Sequence, residues 1–171
     1  MKRTFIILAL MAVALLPAGA QKFALVDMEY ILGNIPAYER ANEQLNQQSK
    51  KWQAEVEALN EEAQTLYKNY QNELVFLSAE QKTQREQAIL DKEKEASELK
   101  KKYFAPEGEL YKKRESLITP IQDEIYTAVK AIAEQRGYSL ILDRASDNGI
   151  VFASPKADIS NEVLAKLGYG E

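Results

Sequence analysis

The sequence lacks the side chains that most often carry out catalysis. None of its 171 residues is histidine or cysteine, which excludes an imidazole base, a thiol nucleophile and a conventional transition-metal site. It also has no G-x-x-x-x-G-K-S/T phosphate-binding loop. Acidic residues are abundant, but glutamates along a helix form a solvated face and not a shaped pocket. We therefore predict that the protein is not an enzyme and has no cofactor or metal site, with a carboxylate-only hydrolase as the enzymatic alternative.

The residues best suited to bind another chain are tyrosines. Tyr67, Tyr103 and Tyr111 combine an apolar ring with a hydroxyl group, which favours adaptable contacts with a protein partner. Ordinary packing between two helices is the alternative for all three. Packing is the better explanation for Trp52 and Tyr70, because these two residues lie on the apolar line of a helical repeat.

The distribution of charge argues against nucleic acid as a partner. The formal charge is −4, and the loss of Lys2 and Arg3 with a cleaved leader would change it to −6. Basic clusters at residues 100–102 and 112–114 would attract acidic segments or headgroups, but a solvated helix face explains them more simply. Whether the protein contacts a membrane is left open.

The first 20 residues have the three parts of a secretory signal peptide. Two basic residues precede an apolar run over residues 5–16, and residues 18–20 form an A-x-A cleavage site. The apolar run is too short to cross a bilayer, which takes roughly 20 residues. We predict cleavage after Ala20 and export of the mature chain.

A long helix is predicted to follow the N-terminal strand region. Pro36 suits the first turn of a helix, and neither proline nor glycine occurs again before Phe76. From Trp52 onward, apolar residues recur at steps of three and four, close to a coiled-coil heptad. At 1.5 Å per residue such a helix is roughly 60 Å long, which exceeds the diameter of a compact domain of this size.

A second helix is predicted to return along the first. Ser78 and Gln81 have the spacing of a capping box, and the connection is too short for any arrangement except an antiparallel hairpin. Residues 36–136 would thus form a helical arm with its tip near residues 77–79. The first half of the returning helix is strongly polar, so we expect a polar, loosely packed tip and a firmly packed base.

Three residues are predicted to act as hinges in this arm. Pro106 with Gly108, and later Pro120, interrupt the returning helix, where each proline removes one backbone hydrogen bond and clashes with the preceding turn. We expect kinks at these positions, which would let the arm bend.

The two ends of the mature chain, residues 21–35 and 137–171, have the apolar patterns of a small β-rich body. We predict strands at residues 22–27, 138–143 and 150–153, the last two joined by an Asn148-Gly149 turn. Gly137 should end the returning helix, and Ser160 should cap a closing helix that Gly168 ends. The core or subunit-interface residues assigned to this body are Phe23, Leu25, Val26, Leu140, Ile141, Leu142, Ile150, Val151 and Phe152.

Such a body is too small to be stable alone. Domains below about 70 residues are usually marginal without a disulfide or a metal, and the sequence offers neither. Self-association is the remaining source of stability. The predicted fold class is therefore α+β, with a long antiparallel helical hairpin arm that projects from a small β-rich oligomerisation body.

Six short segments carry a resemblance to a known family: Phe23–Met28, Ile121-Gln122, Thr127–Lys130, Leu140–Asp143, Asp158–Ser160 and Val163-Leu164. In order and spacing they resemble the Skp (OmpH-like) family of periplasmic outer-membrane-protein chaperones. The resemblance implies a jellyfish-like homotrimer with a β-barrel body and three arms around a cavity. It further implies ATP-independent binding of unfolded outer-membrane proteins in the periplasm, which prevents their aggregation. Because the mature chain is acidic, no lipopolysaccharide-binding residues are transferred.

A non-enzymatic coiled-coil scaffold or tether of the cell envelope is the alternative function. Such a spacer would need a long, regular heptad repeat, and the polar returning helix with its prolines fits that need poorly.

Overall fold

The computed structural model describes residues 22–146 and 149–170, most of which are helical. The predicted signal peptide, residues 1–20, and Asn148 of the predicted turn lie outside the described residues. The chain divides into two compact units, one formed by residues 33–125 and one by the described residues on either side of them. In chain order the elements are β1 (Lys22–Val26), α1 (Met28–Gly33), α2 (Pro36–Glu73), α3 (Ala79–Phe104), α4 (Glu109–Arg136), β2 (Tyr138–Asp143), a 3₁₀ turn (Pro155–Ala157) and α5 (Ser160–Leu167).

The first unit is built on the antiparallel pairing of α2 and α3. Helix α2 begins at Pro36, which confirms the predicted start. The ion pairs Arg85–Glu73 (3.1 Å) and Lys92–Glu62 (3.0 Å) join the two helices in antiparallel register. From Val56 onward the buried side chains recur every seven residues, which confirms the heptad pattern predicted from Trp52: Val56, Ala63 and Tyr70 on α2, and Ile89 and Ala96 on α3.

The turn between α2 and α3 is held by the predicted capping box. The Gln81 backbone N–H donates to Ser78 Oγ (3.3 Å), and the Ser78 N–H donates to Gln81 Oε1 (2.9 Å). The expectation of a polar tip is wrong at the turn itself. Val75 and Phe76 are 82% and 84% exposed, because α2 ends at Glu73 and the turn directs both side chains away from the helix pair.

The structure shows a complete break, and not a kink, between α3 and α4. Helix α3 ends at Phe104, and the Gly108 N–H donates to the Ala105 carbonyl (2.8 Å) in the short turn that follows. A Cβ atom on Gly108 would lie 2.8 Å from the Tyr103 carbonyl oxygen, so the backbone passes too close there for a side chain. Pro120, by contrast, lies inside the continuous helix α4. The role of these residues as hinges stays a prediction.

The second unit contains a two-stranded parallel sheet. Strands β1 and β2 occur where the sequence predicted them, with Leu25 opposite Leu142 in the register. The predicted third strand at residues 150–153 is wrong, since this segment has no regular structure. The free edge of β1 is instead contacted by the segment after the 3₁₀ turn, where the Ile159 N–H donates to the Leu25 carbonyl (2.9 Å).

Two further expectations for this unit have different outcomes. Gly137 and Gly168 both have positive φ angles, 69° and 85°, and end their helices as predicted. Ser160 is not the N-cap of α5, because Ile159 occupies that position and the Ser160 hydroxyl is bonded elsewhere. None of the helices in residues 22–146 and 149–170 has the length and hydropathy needed to cross a membrane.

Candidate functional site

An aromatic cluster joins α2 to the end of α3. The Trp52 and Tyr103 rings are stacked, with centroids 4.6 Å apart and an angle of 11° between their planes, and Phe104 meets Tyr103 edge-on at 6.2 Å. The Tyr103 hydroxyl donates to Glu55 Oε2 (2.7 Å), and this hydrogen bond raises the pKa of Tyr103 above its ordinary value. Tyr103, a predicted partner contact, is thus engaged within the hairpin, and its part in binding stays a prediction.

A groove opens beside this cluster, where the break between α3 and α4 separates the helices. It has a volume of about 390 Å³. One wall is polar and comes from α2, with Asn42, Asn46 and Ser49 around the buried side chain of Leu45. The other wall is mainly apolar and comes from the break and the start of α4: Phe104, Pro106, Leu110 and Tyr111. Both walls belong to the unit of residues 33–125.

Arg114 is the charged residue among those that line the groove. Within the part of the chain that the structure describes, its guanidinium forms no ion pair, whereas Lys112 two residues earlier pairs with Glu109 at 3.2 Å. Tyr111, the second predicted contact in this region, is 47% exposed and donates its hydroxyl to Glu115 (2.9 Å), which raises the pKa of Tyr111. The groove therefore combines an apolar pocket with an available positive charge.

Tyr67, the third predicted contact, is separate from this groove. It lies 15 residues beyond Trp52 on α2, a distance of roughly 22 Å along the helix axis. Its ring is 53% exposed and borders a shallow depression with Ala63 and Gln64. The structure thus places Tyr111 in the groove, Tyr103 in the aromatic cluster beside it through Phe104, and Tyr67 apart from both.

The predicted body residues fall into two groups. Leu25 and Val26 are buried, and Ile141, Leu142 and Ile150 are partly covered. Strand β2 has no fully buried residue in one copy of the chain, since its residues are exposed or only partly covered. The exposed group consists of Phe23 (61%), Leu140 (54%), Val151 (100%) and Phe152 (85%).

A polar cluster links the ends of both strands to α5. Arg144 Nε lies 3.0 Å from Asp27 Oδ2, and its Nη1 lies 3.2 Å from Asp158 Oδ2. The Ser160 hydroxyl donates to Asp158 Oδ1 (2.6 Å) and accepts from the Asp27 N–H (2.8 Å). The Tyr30 backbone N–H, which donates to Asp27, and the nearby Arg144 guanidinium together hold the pKa of Asp27 below its ordinary value. These contacts fix the relative positions of β1, β2 and α5.

Sequence reasoning missed three of these features. The polar cluster left a trace, since Asp27 and Asp143 each follow an apolar strand run. The exposed tip left another, because Val75 and Phe76 stand off the heptad line. The groove left no trace in the sequence, since it forms only where the helical break between α3 and α4 places both of these helices beside α2. In the described residues, no cluster of three or more acidic side chains is placed to hold a metal ion.

The fold places the chain among proteins that combine a long helical hairpin with a small unit of parallel strands and helices. The chain belongs to the outer membrane protein (OmpH-like) family, whose family model matches residues 22–167. This match confirms the resemblance inferred from the sequence.

Several relatives carry the name chaperone protein Skp. The protein from Yersinia enterocolitica is 26% identical over 150 residues, which cover 86% of this chain and 87% of the relative. Those from Pectobacterium atrosepticum and Photorhabdus laumondii are 25% and 23% identical, and each match covers 87% of both chains.

Proposed function

We propose that this protein is a periplasmic chaperone that binds unfolded outer-membrane proteins and prevents their aggregation without ATP. The observation that carries the proposal is the family match over residues 22–167, together with relatives named chaperones that align along nearly their whole length. The signal-peptide pattern of residues 1–20 supports export, and the lack of a phosphate-binding loop agrees with ATP-independent action.

The physical reason for such a function lies in the clients. An unfolded membrane barrel exposes apolar segments and unpaired strands, and it aggregates unless they are sheltered. A helical hairpin offers a long surface on which many weak contacts form at once. Exposed aromatic and apolar side chains such as Tyr67, Tyr111 and Phe76 supply contacts of this kind.

The active form is proposed to be a homotrimer whose arms surround the client. Exposure of Phe23 and Leu140 on the sheet, and of Val151 and Phe152 in the segment after it, supports self-association, since large exposed apolar side chains are stabilised when another copy covers them. Size-exclusion chromatography with light scattering should give a mass near three chains. Phe152→Asp should lower this mass, because it would place a charge in the interface.

The function is tested with a urea-denatured outer-membrane barrel protein that is diluted into buffer. One trimer per client should suppress the rise in light scattering, with or without ATP, and a folded soluble protein should not form a complex. If the client aggregates at its usual rate in the presence of a verified trimer, the proposal is wrong. Tight binding to a folded envelope protein in the same experiments would instead favour a scaffold or tether.

A further inference from the structure

The groove beside the break between α3 and α4 contains polar groups that the described chain does not use. The side chains of Asn42, Asn46 and Arg114 form no hydrogen bond or ion pair with residues 22–146 or 149–170. Each lines the groove, together with the buried apolar side chain of Leu45. Polar groups that converge on an apolar pocket are the usual composition of a binding site.

The polar wall has the length of a short extended peptide. Asn42, Asn46 and Ser49 lie at positions i, i+4 and i+7 of α2, so they share one face of the helix. Seven residues of helix span roughly 10 Å, which is the length of about three residues of extended chain. Amide groups donate and accept hydrogen bonds, so this row suits the backbone of an extended segment.

The apolar wall is held in place before any ligand arrives. Phe104 contacts the Tyr103 ring edge-on, and Tyr103 is stacked on Trp52 and hydrogen-bonded to Glu55. A rigid pocket loses little conformational entropy on binding. Its volume of about 390 Å³ lies at the lower end of the range for ligand pockets and suits one large side chain with its flanking backbone.

Charge selects the kind of segment that fits. Arg114 is the only charged residue among those that line the groove in the described chain, although the protein as a whole is acidic. A guanidinium without an internal partner binds a carboxylate through directed, charge-assisted hydrogen bonds. The complementary ligand therefore carries an apolar side chain and a carboxylate close together.

We propose that this groove binds an extended segment of an unfolded chain, with an aromatic side chain in the pocket and a neighbouring Asp or Glu carboxylate on Arg114. The inference rests on the proposed chaperone function and specifies the sequence chemistry that the helical hairpin recognises. Asn42 and Asn46 hydrogen-bond the backbone of the segment, so they contribute affinity without selecting its side chains.

Binding is measured by the fluorescence of Trp52, the one tryptophan of the chain. Trp52 is stacked on Tyr103, and Tyr103 in turn contacts Phe104 of the groove. Two short peptides with blocked ends are titrated against the full-length mature protein; they differ only in having Asp or Asn next to a phenylalanine. For a half-open groove we expect dissociation constants on the order of a millimolar. The Asp peptide should bind about threefold more tightly, the gain typical of a partly exposed ion pair.

Variants test whether Arg114 causes the preference for the Asp peptide. Arg114→Gln should abolish the difference between the two peptides, whereas Lys113→Gln, which changes an adjacent cation outside the groove, should retain it. Asn46→Ala should weaken the binding of both peptides about equally, by roughly threefold. Circular dichroism and the Trp52 emission of the free proteins verify that each variant is folded.

Equal binding of the two peptides to the wild type, or loss of the preference in Lys113→Gln, would overturn the inference. Retention of the preference in Arg114→Gln would overturn it as well, because the carboxylate would then be recognised by another group. The barrel-aggregation assay is run in parallel on the same preparations. If that assay succeeds while the peptide experiment fails, the chaperone function stands and only the groove assignment is lost.

Discussion

Substitution of Gly108 by alanine tests whether close backbone contacts fix the position of the break between α3 and α4. A Cβ atom at this position would lie 2.8 Å from the Tyr103 carbonyl oxygen, 2.9 Å from the Lys102 carbonyl oxygen and 3.0 Å from the Ala105 nitrogen. Ordinary contacts of this kind are 3.4–4 Å. All three atoms belong to the backbone, so no side chain can rotate away, and the turn itself must shift.

The cost follows from two opposing effects. Overpacking of this type usually destabilises a protein by about 1–3 kcal/mol. Replacement of glycine by alanine also restricts the unfolded chain, which stabilises the folded state by about 0.4–1 kcal/mol. The net loss for Gly108→Ala should thus be about 1–2 kcal/mol, which lowers the urea midpoint by roughly 0.5–1 M.

Gly33→Ala is the matched control. No atom lies within 4 Å of a Cβ built on Gly33, and its φ angle is not in the left-handed region, so only the effect on the unfolded chain remains. This variant should be as stable as the wild type or slightly more stable.

Urea denaturation is followed by Trp52 fluorescence and by circular dichroism at one fixed protein concentration, because oligomer stability depends on concentration. The reasoning is refuted if Gly108→Ala unfolds at the same urea concentration as Gly33→Ala. Such a result would mean that the turn relaxes freely and that its close backbone contacts contribute nothing to the position of the break.

Three other perturbations have defined outcomes. The pKa of Asp27 is lowered by the Tyr30 N–H and by Arg144, so its contribution to stability is present above its ordinary value of 3.8 and is lost as the pH falls through the lower folded-state value. Asp27→Asn should therefore lose less stability than the wild type in thermal melts recorded at decreasing pH below 3.8; equal losses would show that other groups dominate. Ile132 is 1% exposed, and Ile132→Ala should cost about 2–5 kcal/mol by urea denaturation, against about 0.5–1.5 kcal/mol for Ile132→Val; similar costs for both would contradict tight packing. Tyr103→Phe should leave the Trp52 emission maximum in place while Tyr103→Leu moves it to longer wavelength, since only the latter removes the stacked ring.

Local signals in the sequence predicted the helices and strands well. Pro36 begins α2, the box of Ser78 and Gln81 begins α3, and Gly137 and Gly168 end α4 and α5. Each signal acts within one or two turns of chain, through an unpaired N–H group or a left-handed φ angle. The same local reasoning was wrong for residues 150–153, because a run of four apolar residues after Asn-Gly does not show whether a strand edge is available to pair with it.

The candidate site was less predictable from the sequence. The aromatic candidates Tyr103 and Tyr111 were singled out, but their surroundings were not, and Arg114 was grouped with a solvated basic cluster. The groove arises because Gly108 allows a tight break whose two sides both face α2. A sequence pattern records the break, but it does not record which polar groups on a distant helix lie opposite it.

The sequence by itself determined the heptad spacing of the long helices, the capped turn between them and the positions of β1 and β2. Only the tertiary structure decided the parallel pairing of β1 with β2, the bridge from Arg144 to Asp27 across 117 residues, and the polar and apolar walls of the groove. The physical reason is one of range. Caps and periodic burial depend on neighbours a few residues away, whereas strand partners and groove walls depend on where the intervening helices return the chain.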